Sequence, residues 1–172
     1  MVNNILLDSE NKIIAADERP YIERATINKG KVYFQDFGSP KEITISAASD
    51  GDTNFYAIEP VTTFTNWLGF ENGGSDDGTL VFTADDCTMM LSFTVSYGST
   101  YEKDQICFKG MTSSGSELFR IYDTTVKANG INTLSFTGIF DFVTDDEITV
   151  QVANLTDVHN IKIYTYSIMA YG

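Results

Sequence analysis

Along most of the chain, apolar and polar residues alternate with a period of two. From Thr88 to Tyr97, Met89, Leu91, Phe93, Val95 and Tyr97 interleave with Thr88, Met90, Ser92, Thr94 and Ser96. Successive side chains of an extended strand point to opposite faces, so this run predicts a long strand with one apolar and one mostly hydroxyl face. Glu147–Ala153 repeats the pattern through Ile148, Val150 and Val152, Thr133–Phe140 through Leu134, Phe136 and Phe140, and Gln105–Lys109 through Ile106 and Phe108. Shorter candidates are Lys31–Phe37, Ile43–Ala47, Leu80–Thr83 and Leu118–Asp123. The dipeptides Asp50-Gly51, Asn72-Gly73, Asp77-Gly78 and Asn129-Gly130 favour tight turns and separate these runs. No window of helical length carries a 3.6-residue period. The prediction is an all-β jelly-roll sandwich of about 8–10 antiparallel strands, preceded by an extended N-terminal arm with short strands.

The run Asn160–Met169 departs from simple alternation. Counted by two, Ile161 and Ile163 fall on one face, while Tyr164, Tyr166 and Ile168 fall on the other. A strand apolar on both faces leaves a sticky patch unless something covers each side. Either it lies between two sheets of one subunit, or its aromatic face meets copies of itself about a symmetry axis. The second reading makes Tyr164, Tyr166 and Ile168 the expected trimer interface.

Proline placement and charge divide the chain. Pro20, Pro40 and Pro60 are the only prolines, and a residue without a backbone donor interrupts strand pairing. Residues 1–48 are therefore read as an arm or attachment segment and 49–172 as the head domain. Up to Lys41 the chain holds six basic and six acidic residues, so the entire net charge of −13 lies beyond it. That acidity repels phosphate backbones and argues against a nucleic-acid partner. No apolar run approaches the roughly 18 residues a membrane helix needs, and the first residues lack a basic leader before an apolar stretch. Neither a membrane partner nor secretion is expected, so Cys87 and Cys107 are read as buried thiols rather than a disulfide. With hydrophobic residues at 42% and twelve Phe and nine Tyr, a sizeable core is available and disorder is excluded.

The order of segments from about residue 65 onward resembles the globular head shared by tumour necrosis factor and the complement collectin-like proteins. Thr79-Leu-Val-Phe-Thr83 precedes an acidic turn, Ala84-Asp-Asp-Cys87, and the long strand Met89–Tyr97. A pair of strands follows, Asp104–Lys109 and Glu117–Tyr122, then the Ser/Thr-rich Asn132–Gly138. Phe142–Val152 resembles the family's leucine–x–x–glycine–aspartate–x–valine turn and strand, and Ile161–Ala170 resembles its last strand. The family's glycine before the aspartate is missing from Thr144-Asp-Asp-Glu147, and Cys87-Thr88 stands where a glycine-tyrosine is usual. The resemblance implies a ten-strand jelly roll forming compact trimers, with aromatics of the last strand near the axis. Modules of this look occur on bacteriophage head fibres, capsid decoration proteins and tail-fibre tips. The expectation is a structural virion protein, assembled in the host cytoplasm, whose partners are itself, as a homotrimer, and other virion proteins such as the major capsid protein. The alternative is a receptor- or carbohydrate-binding tip of a tail fibre.

Signals of catalysis are sparse. His159 is the one histidine, with Asp157 close in sequence, but no glycine-flanked nucleophile serine accompanies it. Phosphate loops, dinucleotide fingerprints and zinc spacings are absent, so neither enzymatic activity nor a cofactor is expected. Asp76-Asp77 and Asp145-Asp146 gather oxygen ligands of the kind calcium takes, without an EF-hand spacing, and read first as solvated turn acids. The pair Asp85-Asp86 reads the same way, and Asn154-Leu-Thr156 is a glycosylation sequon without an export signal. Trp67, among Phe64, Leu68 and Phe70, is the candidate ligand platform, with core packing as its competing role.

Overall fold

The computed structural model describes residues 29–59, 63–68, 70–72 and 78–172; of the side chains at 63–68 and 71–72 nothing is said. Twelve strands appear in these segments and no helix. In chain order they are β1 (Lys29–Gln35), β2 (Lys41–Ile43), β3 (Tyr56–Ala57), β4 (Thr63–Leu68), β5 (Phe70–Asn72) and β6 (Leu80–Phe82). The longer strands follow: β7 (Cys87–Ser99), β8 (Gln105–Thr112), β9 (Glu117–Thr124), β10 (Asn132–Phe142), β11 (Glu147–Asn154) and β12 (Ile161–Tyr171).

They form two antiparallel sheets. Sheet 1 has the order β10-β7-β12-β1-β4, with β2 also paired to β12; sheet 2 has the order β5-β6-β11-β8-β9, with β3 paired to β11. Each inner face is the apolar half of the alternation. Met89, Leu91, Phe93, Val95 and Tyr97 of β7 are buried, as are Ile106 and Phe108 of β8 and Ile148, Val150 and Val152 of β11. At the centre the Phe93 ring lies 6.0 Å from Phe108 and 5.1 Å from Phe119, both on the opposite sheet, and 6.0 Å from Tyr166 of its own. Offset and edge-on ring pairs of this kind each stabilise by about 1 kcal/mol beyond the area they bury. Gly110 makes one of these contacts possible: a Cβ there would sit 2.3 Å from the Phe119 ring of its cross-strand neighbour.

The strands β1 and β2 fall within residues 1–48, yet both are hydrogen-bonded into sheet 1. Lys29–Gln35 pairs antiparallel with Thr165–Tyr171, and Lys41–Ile43 with Ile161–Ile163. Without them one edge of β12 would present its unpaired backbone groups. Residues 1–28, the rest of the expected arm, lie outside the described residues.

One strand edge therefore changes partner halfway along β12, and the change is marked by a bulge. On its other edge, Ile163 pairs with Tyr97 but Thr165 pairs with Ser96, so Tyr164 is the extra residue. The Tyr164 carbonyl turns to accept the Asp36 amide at 2.9 Å, and the Thr165 hydroxyl accepts the Ser96 amide at 3.0 Å. An extra residue reverses the parity of everything after it.

Candidate interaction surfaces

That parity change corrects the expected interface. Ile161 and Ile163 point inward before the bulge; Tyr166, Ile168 and Ala170 point inward after it. Tyr166 is 1% exposed, its ring edge-on to Phe93 and its hydroxyl donating to the Gly78 carbonyl at 2.9 Å. Ile168 is fully buried in the same core. Tyr166 and Ile168 are thus covered by the chain's own second sheet and do not meet sister copies. Only Tyr164 of the expected three lies on the outer face, half-buried and stacked on the exposed Phe37 at 6.0 Å. With the bulge counted, the strand is apolar on its inner face and mixed on its outer one.

The outer face of β10-β7-β12-β1 has a distinct chemistry. Its middle is a band of small hydroxyls: Ser92, Thr94 and Ser96 on β7, Thr165 and Ser167 on β12, Ser135 and Thr137 on β10. Around the band stand Tyr33, Met90, Ile139, Tyr164, Met169 and Tyr171, with Ile139 68% exposed. Among the described residues, Lys29, Lys31 and Lys162 face the same way, with the acids Asp141 and, opposite Lys162, Glu42. In a chain of net charge −13, this face is where acidic groups are scarce. The Tyr171 hydroxyl rests on the Met90 sulfur at 2.7 Å and Lys31 lies over the Tyr33 ring, so the bulky groups are braced against one another.

A second gathering lies at one end of the sandwich, where the segments 100–104, 125–131 and 155–160 meet. The Asp104 carboxylate, 1% exposed, accepts from the Ser99 hydroxyl at 2.6 Å and faces His159 Nδ1 at 3.0 Å. Its main-chain amide donates to the Thr125 hydroxyl, and the Tyr101 ring stacks on the imidazole at 3.5 Å. The histidine's close carboxylate is Asp104, not Asp157, which stands 4.0 Å from Nε2. The serine hydroxyl binds the carboxylate rather than the imidazole, so the order of groups differs from that of a proton-abstracting triad. This cluster ties three loops together.

The acidic candidates divide. Asp146 is buried, taking the Val143 amide at 3.0 Å and the Ser114 hydroxyl at 3.1 Å, and so closes the β10–β11 turn. Asp145 beside it has a left-handed backbone, φ 70°, a conformation that aspartate tolerates in turns. Asp86 accepts the Thr144 amide across the same end. Among the described residues no three His, Cys, Asp or Glu side chains converge on one point. Asp76 and Asp77 lie outside the described residues, and so does the side chain of Trp67, whose backbone belongs to β4. Cys87 and Cys107 are not joined to each other in a disulfide. Cys107 is buried, and burial pushes its thiol up to about 11.

On the outer face of sheet 2, the edge strand β9, its neighbour β8 and the residue after β11 form an open hollow of about 510 Å³, lined by Gln105, Tyr122, Asp123, Thr124 and Leu155. Periodicity could not reveal it, because it joins three segments far apart in sequence.

No family model and no curated protein matches the chain. Its fold does match solved structures. The Eiger TNF of S. frugiperda superposes with a TM-score of 0.56 at 8% identity, over 83% of this chain and 90% of that one. Murine APRIL gives a TM-score of 0.48 at 14% identity, over 83% and 98%. The chain has a TNF-like jelly-roll fold.

Proposed function

We propose that this chain is a structural, non-enzymatic jelly-roll module that works as a homotrimer on a bacteriophage particle, as a capsid-attached head fibre or decoration protein. The observation that carries the self-association is the outer face of sheet 1. It combines exposed tyrosines and half-buried methionines with a hydroxyl band, and among the described residues its three lysines outnumber its two acids, Asp141 and Glu42. Copies of a strongly acidic protein repel one another except where such a face is offered. Tyr164, Met169, Tyr171 and Met90 stand around that band. The number three is supported by the TNF-like fold and by the segment order, whose resemblance implies compact trimers. Residues 1–28 serve as the docking segment, with the major capsid protein as partner. The placement on a virion is supported by the charge division near Lys41 and by the chain's likeness in composition to phage fibre heads.

Light scattering coupled to gel filtration at micromolar concentration tests the assembly. The expected mass is three times the 19.1 kDa of one chain. The double substitution Tyr164→Glu and Met169→Glu should yield a folded monomer. A wild-type monomer refutes the assembly. Removing residues 1–28, and not the strands β1 and β2, should leave that mass count at three while abolishing attachment to purified particles; unchanged attachment refutes the docking role.

A further inference from the structure

We infer that the hollow between β8, β9 and Leu155 is a binding site for a neutral oligosaccharide. The reading goes beyond assembly, and it places the site on sheet 2, away from the face that copies would cover.

The hollow joins an exposed aromatic plane to planar and hydroxyl hydrogen-bonding groups. Tyr122 is 58% exposed, which is unusual for so large a ring on a strand whose neighbours Leu118 and Phe119 are buried. Its cross-strand partner is Cys107, and Gln105 pairs with Thr124 beside it, so the three polar side chains Gln105, Tyr122 and Thr124 share one outer face. A pyranose presents an apolar C–H face and a rim of hydroxyls. The electron-rich face of a tyrosine suits the first. The carboxamide of Gln105, with one acceptor and two donor hydrogens, and the Thr124 hydroxyl suit the second. Among the described residues neither of those two side-chain groups has a hydrogen-bond partner in the fold, so both are available. The volume of about 510 Å³ lies within the ordinary range for small-ligand sites.

The frame of the hollow is rigid before any ligand arrives. The Leu155 amide donates to the Gln105 carbonyl at 2.8 Å, and the Gln105 amide donates to the Thr156 hydroxyl at 2.9 Å. Asp123 is held from below by the Tyr97 hydroxyl at 2.6 Å and caps the Thr124 amide at 2.8 Å. A site that loses little freedom on binding suits a weakly held, uncharged ligand. The Asp123 carboxylate and the chain's net charge of −13 disfavour acidic sugars.

Saturation-transfer NMR on the intact chain, with lactose, maltose, cellobiose and diacetylchitobiose as probes and sialyllactose as the acidic control, tests the site. At least one neutral probe should receive transfer, and sialyllactose should bind no better than lactose. Tyr122→Ala should weaken the binding probe at least tenfold, Gln105→Ala about fivefold, and Tyr122→Phe less than threefold, with the melting temperature and light-scattering mass unchanged for the last two. Should Tyr122→Ala fail to fold, Gln105→Ala and Thr124→Ala carry the comparison. Absence of transfer to every neutral probe overturns the site. So does binding that Gln105→Ala and Tyr122→Ala leave intact while Trp67→Ala removes it. Neither result touches the mass measurement, so the assembly and the sugar site stand or fall separately.

Discussion

Replacing Tyr166 asks whether a residue that looks like half of an interface belongs to the core. Its ring is 1% exposed and edge-on to Phe93, and its hydroxyl satisfies the Gly78 carbonyl at 2.9 Å. Tyr166→Phe keeps the ring and leaves that carbonyl unpaired, which costs about 1–2 kcal/mol. For a domain of this size each 1 kcal/mol lowers the melting temperature by roughly 2–4 °C, so the expected fall is about 2–8 °C. Tyr166→Ala adds a cavity between the sheets, and aromatic-to-alanine changes in cores cost about 3–5 kcal/mol. With the orphaned carbonyl the total is about 4–7 kcal/mol, a large share of a typical domain's stability. Tyr164→Ala, which removes only a stack on an exposed ring, should cost the isolated chain about 1 kcal/mol or less. Urea unfolding followed by tryptophan fluorescence measures all three, at one dilute concentration because association adds stability by mass action. A Tyr166→Ala protein that keeps its midpoint but loses its assembled mass would refute the inward orientation, and with it the bulge.

Three further outcomes follow from the same geometry. Gly110→Ala forces a methyl group into the Phe119 ring and should destabilise by about 1–3 kcal/mol, read as a lower urea midpoint, whereas the open position Gly38→Ala should change it by less than about 0.5 kcal/mol. His159→Ala leaves the buried Asp104 carboxylate with only the Ser99 hydroxyl and removes the Tyr101 stack; the expected loss is about 2 kcal/mol, with faster amide exchange in the segments 100–104 and 125–131. Because the Cys107 thiol is raised from 9.0 to about 11 in the fold, its contribution is complete below pH 9 and lost as pH rises to 11. The melting temperature should fall across that window, and Cys107→Ala should flatten part of the fall.

Much of the architecture could be read from alternation alone, and the reasons are local. Where a strand pairs without interruption, as β7 does with β10 from Cys87 to Tyr97, counting by two assigns every face, and Met89, Leu91, Phe93, Val95 and Tyr97 are buried as that count requires. On β12 the same count fails at Tyr164, because a bulge depends on what lies at both edges of the strand, here the junction between β2 and β1. Two hydrophobic runs of opposite parity inside one strand are themselves the signal, and Ile161-Ile163 followed by Tyr166-Ile168 is such a pair. The run Lys31–Phe37 announced β1 but not its place beside β12, and a three-residue strand such as Lys41–Ile43 has too few positions to show a period. The hollow around Tyr122 and the Asp104–His159 contact join residues from separate segments, and no one-dimensional pattern holds that information. His159 was visible as a solitary imidazole, but its partner lies 55 positions away.

The pairing of β1 with β12 sets a timetable for synthesis. Lys29 meets Tyr171 and Gln35 meets Thr165, so β1 can pair with the nearby β4 on one edge but lacks its partner on the other until β12 has been synthesised. Until then β7 and β10 can pair, while the strip that should sit between β7 and β1 is an empty slot with two bare edges. Sheet 1 closes in one late step, when the final strand slides into that slot like a key, and a nascent chain stalled before Ile161 would expose both edges to any extended peptide nearby.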